Sequence, residues 1–352
     1  MRLPGSAANE ILADLKYARY CGAMIAVVGA SGTIGRRVAG FLEEWGAPFV
    51  RRDARLSGAE ALDASDPASV ARGLDGCSVV VNCADYRLNL PVMRGALSAG
   101  VHYVDLGGLY HVTSEQLELD GEFRAAGLGA LLGMGSAPGK TNLLTAAAAQ
   151  RLGEEPRSLE IWAAARDPAA AEHPFPAPYS VRTLLDELHL RPVVVEDGDV
   201  REVEPLSGEA ERELPEPVGR VKGIYTLHSE LKTLPVAFPS LESASFRLCL
   251  APGLLEKLLA LEEGEEPQPY EQSEEAVAVH LVELLGETRR VVGWTLTRGG
   301  SARSTSEPAA RAAVELHDGR LRFDGVKPPE SAVPDPDAFL ALLDTEVYWE
   351  VA

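Results

Sequence analysis

The stretch "MIAVVGASGTIGRRVAGFLEEW", residues 24–45, constrains this chain more than any other. Met24 to Val28 is continuously apolar, as a strand covered on both faces of a parallel sheet must be. Gly29, Gly32 and Gly35 follow at GxxGxxG spacing. In such a turn the first glycine permits the tight bend and the second lets a pyrophosphate approach the backbone. The third allows the helix to pack closely on the strand. A helix beginning near Thr33 aims its free N–H groups and positive dipole end at that phosphate. The strand before and the helix after make this a dinucleotide-binding turn, where a lone glycine triplet would be weak evidence.

The pattern continues downstream. "PFVRRDARL" reads as a second strand, and Asp53 lies 18 residues beyond Gly35. That is close to the spacing of the carboxylate that binds a free 2′-hydroxyl. Arg51 and Arg52 stand beside it and suit a 2′-phosphate instead. NAD and NADP both stay open, with NAD slightly favoured because a carboxylate there repels the extra phosphate. "DGCSVVVNCADY", "VHYVDLGG" and "LGALLGMG" read as further buried strands, separated by helices over 89–99 and 114–126. This alternation predicts an α/β fold, a doubly wound parallel sheet. Ligands lie beyond the carboxyl ends of such strands. The exits "NCADYRLN", "DLGGLYH" and "GMGSAPGKTN" therefore gather around one crevice. In the last, Ser136 and Pro138 also read as an ordinary helix cap. The residues expected at the dinucleotide are Gly29, Ser31, Gly32, Thr33, Ile34, Gly35, Arg52, Asp53, Asp63, Ala84, Pro138 and Asn142, with Thr141 beside the last.

At 352 residues the chain exceeds one typical domain. A net charge of −20 argues against nucleic acid as a partner. No apolar run reaches the length that spans a bilayer. The four cysteines form no CxxC pair and no metal spacing with the seven histidines, which points to a reducing cytoplasm and no metal. Residues 1–22 read as an N-terminal extension and 23–152 as the dinucleotide-binding domain. After about Gly153 the alternation breaks, and 153–304 reads as an inserted α+β substrate domain. There "SLEIWAAAR", "SASFRLCLAP" and "RRVVGWTLTRG" look like strands, and "YSVRTLLDELHL" and "SEEAVAVHLVELLG" look helical. The acidic stretch 191–220 reads as a hairpin with loops. Residues 305–352 read as a segment that returns to the first domain.

Taken together, "GASGTIG", "ADYRLNLPVM", "GVHYVDLGGLYHVT", "GMGSAPGKTN", "PYSVRTLLDE", "YTLHSELKTLP" and "DGVKPPESAVP" resemble the saccharopine dehydrogenase family. Within it they most resemble the L-lysine 6-dehydrogenases, over roughly residues 24–340. The resemblance implies a Rossmann domain, an inserted substrate domain with a mixed sheet that also serves dimerisation, and a homodimer. It implies NAD(P)-linked hydride transfer at a carbon bearing an amine of a small amino-acid substrate. L-lysine at its ε-carbon comes first, saccharopine or carboxynorspermidine second.

Oxidising an amine by hydride loss needs a neutral nitrogen, while a free ε-ammonium has a pKa near 10.4. Tyr86 and Asp105, at two strand exits, and His228 and Glu230, in "TLHSELKTLP", are the candidate catalytic groups. If that last segment is a strand, His228, Glu230 and Lys232 share one face. Tyr179, Arg182 and His111 are the candidate substrate contacts, Arg182 as a bidentate carboxylate ligand. Two rivals stand beside this reading. An acylating semialdehyde dehydrogenase would need Cys83 as nucleophile, and a nucleotide-binding sensor would need no chemistry. The sequence argues against a short-chain reductase, because no tyrosine is followed four residues later by lysine.

Overall fold

The computed structural model describes residues 22–352 apart from 263, 266, 268 and 269. The extension expected over 1–22 thus lies outside the described residues, Gly22 excepted. Five strands, β1 (Met24–Val28), β2 (Phe49–Arg52), β3 (Cys77–Asn82), β4 (His102–Asp105) and β5 (Gly129–Leu131), form a parallel sheet in the order β5-β4-β3-β1-β2. All six residues of β3 are buried, the consequence of helices on both faces. Two of the glycines expected in the first turn are sterically enforced. Gly29 has φ +76°, and a Cβ there would lie 2.7 Å from the Ala84 nitrogen. A Cβ on Gly35 would lie 2.2 Å from the Gly29 oxygen, so only glycine lets helix α1 (Thr33–Glu44) sit this close to β1.

The second sheet holds β6 (Ser158–Arg166), β7 (Val193–Glu196), β8 (Asp199–Glu202), β9 (Ala210–Leu214), β10 (Gly219–Tyr225), β11 (Ser243–Cys249), β12 (Val277–Leu285) and β13 (Arg290–Arg298). The acidic stretch 191–220 forms β7 to β9 and the start of β10. β7–β8 and β9–β10 are antiparallel pairs, so hairpin pairing is what it adopts. "SEEAVAVHLVELLG" is not helical. It is β12, antiparallel to both β6 and β13 and buried along most of its length. A strand covered on both faces loses its period-2 signature, so its apolar run mimics a buried helix.

The C-terminal part serves both sheets. β14 (Gly325–Lys327) adds beside β5, and β15 (Glu346–Val351) pairs with β13. Three further helices matter below: α2 (Lys140–Leu152), α3 (Val181–His189) and α4 (Glu230–Ala237). A fourth, α5 (Gly300–His317), packs on α1 and β3, and the boundary expected at 304 falls inside it. Helix α2 packs against β12 and β13 and leads out of the first sheet, which ties the two halves through one apolar core. Among the described residues no helix is long and apolar enough to cross a membrane, and no group of three or more metal-ligating side chains occurs.

Candidate active site

Between the carboxyl ends of β1 and β3 and the second sheet lies a cavity of about 390 Å³, within the range of small-molecule sites. One wall is the glycine turn: Gly32, Thr33 and Ile34, with Cys83, Ala84 and Tyr86 from the β3 exit. Helix α1 starts there with no side-chain cap, so its first-turn N–H groups are left for an anion. This is the observation that the pyrophosphate of a dinucleotide fits.

The end of β2 is arranged differently from the expectation. Asp53 is only 6% exposed and accepts hydrogen bonds from the Ser31 N–H at 2.9 Å and from the Arg55 backbone and guanidinium. Burial alone pushes its carboxyl up, but these donors and the Arg55 charge outweigh it and bring the pKa down to about 2. Asp53 is therefore spent on the turn itself. Arg52 turns away, donating to the Gly73 carbonyl at 2.6 Å, so it is not the group facing a 2′-phosphate. Arg55, which sequence spacing did not single out, has a side chain two-thirds exposed, and a Cβ on Gly32 would lie 3.9 Å from its guanidinium. Asp63 is exposed and holds the Ser65 hydroxyl, away from the cavity walls.

The start of α2 also departs from its expected role. Ser136 and Ala137 line the cavity, and Ser136 shares a hydrogen bond with Thr305 at 2.9 Å. The helix itself begins at Lys140 behind Gly139, whose N–H is taken by Asn142 Oδ1. Asn142 also donates to Glu330, Thr141 donates to Glu230, and the Pro138 ring packs against Gly107 and Gly133. None of Pro138, Thr141 or Asn142 lines the main cavity. This first turn pins the two halves together. Lys140 is the extreme case: 1% exposed, with Nζ donating to Thr297 and Ser304, each at 2.6 Å. Burial drives its pKa from an ordinary 10.5 to about 7, against the pull of Glu307. Because folding lowers this pKa, the unfolded chain binds a proton that the folded chain refuses between about pH 7 and 10.5. Stability therefore rises with pH across that window. Lys140→Met is expected to flatten that rise in urea midpoints, and an unchanged slope would assign it to another group.

The opposite wall carries the acid–base groups. The segment expected as a strand is a loop ending in α4, which starts at Glu230. His228 and Glu230 still meet, because the turn folds the histidine back: Nδ1 lies 3.6 Å from Glu230 Oε2. His228 Nε2 lies 3.9 Å from Glu187 Oε2, and its ring stacks on Phe246 at 3.6 Å. Tyr179 donates to Glu187 Oε2 at 2.6 Å, and both line the cavity with His228. Glu230 is fully buried behind the ring. Burial disfavours a charged His228, yet the Glu230 and Glu187 carboxylates outweigh it and hold its pKa above the ordinary value. Burial raises Glu187 in turn. His228 Nε2 and Glu230 Oε2 have no hydrogen-bond partner. His280 of β12 also lines the cavity, with an unpartnered Nδ1. Burial and the nearby Lys140 and His228 charges keep that ring's pKa well below the ordinary value. Sequence reading passed over Glu187 and His280. The only available signal for the first was an acid on the apolar side of an amphipathic helix.

The other candidates fall elsewhere. Asp105 is fully buried and accepts from Gly107 N–H, Gly133 N–H, Tyr103 Oη and Gln116 Nε2 at 2.6–3.0 Å. It stitches the exits of β4 and β5 together and does not line the main cavity. His111 and Arg182 are exposed and do not line the main cavity. Tyr86 lines the cavity and donates to Asp186 at 2.9 Å. Cys83 also lines it, but burial pushes its thiol up and no charged neighbour opposes this. A nucleophilic cysteine needs the reverse, so the acyl-transfer rival has no activated sulfur.

An uncapped helix start at a parallel strand exit, facing a histidine between two carboxylates, defines a dinucleotide-binding protein with an acid–base cleft. Residues 53–131 match the saccharopine dehydrogenase NADP-binding domain, so the resemblance to that family is borne out and the dinucleotide is NAD or NADP. A carboxyaminopropylagmatine dehydrogenase from Synechocystis is 28% identical over 57% of this chain; the match spans about half that relative's length. Saccharopine dehydrogenase (L-Glu forming) from Saccharomyces cerevisiae superposes with a TM-score of 0.65 at 14% identity. That superposition covers 94% of this chain and 100% of the yeast chain, and it shows the shared fold.

Proposed function

We propose that this chain is an NAD(P)-dependent dehydrogenase acting at a carbon that bears a nitrogen. The observation that carries the reading is His228, buried between Glu187 and Glu230 with Nε2 unpartnered, on the cavity wall across from the glycine turn. When bound, the dinucleotide supplies hydride acceptance or donation. The chain's own residues handle the proton: His228 takes it from the substrate nitrogen, and the two carboxylates stabilise the imidazolium that results. Tyr179 holds Glu187 in place for this.

Among amino-acid substrates the first to test is L-lysine, oxidised at its ε-carbon. The second is a secondary amine of the saccharopine or carboxynorspermidine kind, which the name of the Synechocystis relative favours. Absorbance at the reduced-nicotinamide band tests both, with each amine offered with NAD and with NADP at pH about 7 and 10. Silence on every combination, with dinucleotide binding shown separately, would remove both of these substrates and leave an amine without a carboxylate, or a sensor.

The cofactor choice leans toward NADP on the geometry at β2. Asp53 is neutralised by Arg55, and Arg55 remains exposed beside the turn. Losing one charge-assisted contact costs about 1.5–3 kcal/mol, so Arg55→Ala is expected to cut the NADP-over-NAD preference by about 10- to 100-fold. A KM ratio that stays put would remove Arg55 from that role.

A further inference from the structure

The charges around the cavity are one-sided. Among the described residues its lining contains three carboxylates, Asp85, Asp167 and Glu187, and no lysine or arginine. Asp85 is already paired with Arg87 at 3.1 Å. Asp167 is held by neutral donors, the Ser273 N–H and hydroxyl, the Ala169 N–H and the Tyr270 hydroxyl. Its neighbour Arg166 is turned outward onto the Pro217 carbonyl. Glu187 has Tyr179 and His228. Two buried ring nitrogens in the same walls, His228 Nε2 and His280 Nδ1, have no partner, and each residue is 5% exposed. A cavity meant for a substrate with several carboxylates would present guanidinium or ammonium groups to them. This one presents the opposite sign, in a chain whose net charge of −20 draws cations toward it.

We propose that the cleft selects an aliphatic di- or polyamine, with one cationic nitrogen at Glu187 and another at Asp167, and provides no anchor for a substrate carboxylate. This rests on the C–N dehydrogenase reading and names its substrate class. The reacting nitrogen is first deprotonated. A hydride then leaves its α-carbon for the oxidised dinucleotide, giving an iminium and the reduced dinucleotide. Water adds to the iminium, and the C–N bond breaks to release an aldehyde and an amine.

The test compares a linear diamine, a linear triamine, L-lysine and saccharopine as substrates of the full chain with NADP, by absorbance at the reduced-nicotinamide band. The triamine is expected to give at least tenfold higher kcat/KM than lysine, and saccharopine to give none. Lysine or saccharopine preferred over both amines would overturn the charge selection and leave the dehydrogenase reading standing. No turnover of any of the four, with dinucleotide bound, would overturn both. Asp167→Asn adds a second readout: a KM for the triamine raised about tenfold, with the KM for a monoamine unchanged. Equal rises for both amines would show a merely structural aspartate and overturn its part in the proposal.

Discussion

Replacing His228 with alanine is expected to lower kcat/KM by about 10²- to 10⁴-fold, the usual worth of a positioned acid–base group. Binding of the dinucleotide is expected to stay within a factor of two or so of the original, as the ring touches no residue of the glycine turn. The loss is large because nothing else in the cleft combines a poised proton acceptor with flanking counter-charge. His280 lacks carboxylate neighbours, and Tyr86 is tied to Asp186. The pH profile supplies a check on mechanism. The carboxylates raise His228, so the neutral base form appears only above its ordinary titration range, and oxidation is expected to climb with pH there. Glu187→Gln removes one source of that rise and is expected to move the profile toward lower pH. Full activity in the alanine variant would assign the proton to another group.

Asp105→Ala is expected to destabilise the fold by about 3–5 kcal/mol, a large share of the roughly 5–15 kcal/mol that holds a typical domain together. Its carboxylate satisfies four donors at once, three of them buried, and each buried donor left unpaired costs about 1–3 kcal/mol. The effects do not simply add, since Gln116 Nε2 also donates to Met93 Sδ at 3.1 Å and keeps that partner. Urea denaturation reads the change as a lower midpoint at unaltered slope. An unchanged midpoint combined with abolished turnover would restore Asp105 to the catalytic role that its place at a strand exit first invited.

That misplacement shows where reading the chain stops working. Much of the parallel sheet was legible because strands such as β1 and β3 are short apolar runs followed by a loop and a helix, and that signal is local. So was the glycine turn, where Gly35 answers to a steric contact with Gly29 six residues before it. A carboxylate at a strand exit, in contrast, points either into the crevice or back across to the next strand. Asp105 does the second, because Gly133 and Gln116 sit where they can reach it. "VAVHLVELL" failed for a related reason: its partners β6 and β13 come from elsewhere in the chain and cover both faces.

By itself the sequence determined the dinucleotide-binding half, its alternation of strands and helices, the position of the pyrophosphate turn and the presence of a distinct second half. It also singled out His228 and Glu230, from polar residues crowded into an apolar segment. Only the tertiary structure decided that Glu187 joins them, that His280 faces the same cavity and that Arg55 neutralises Asp53. It alone buried Lys140 between the two halves. Backbone geometry is set by neighbours in the chain, whereas the charge around a site is set by side chains drawn from α3, α4 and β12. Their meeting depends on packing that no local spacing encodes.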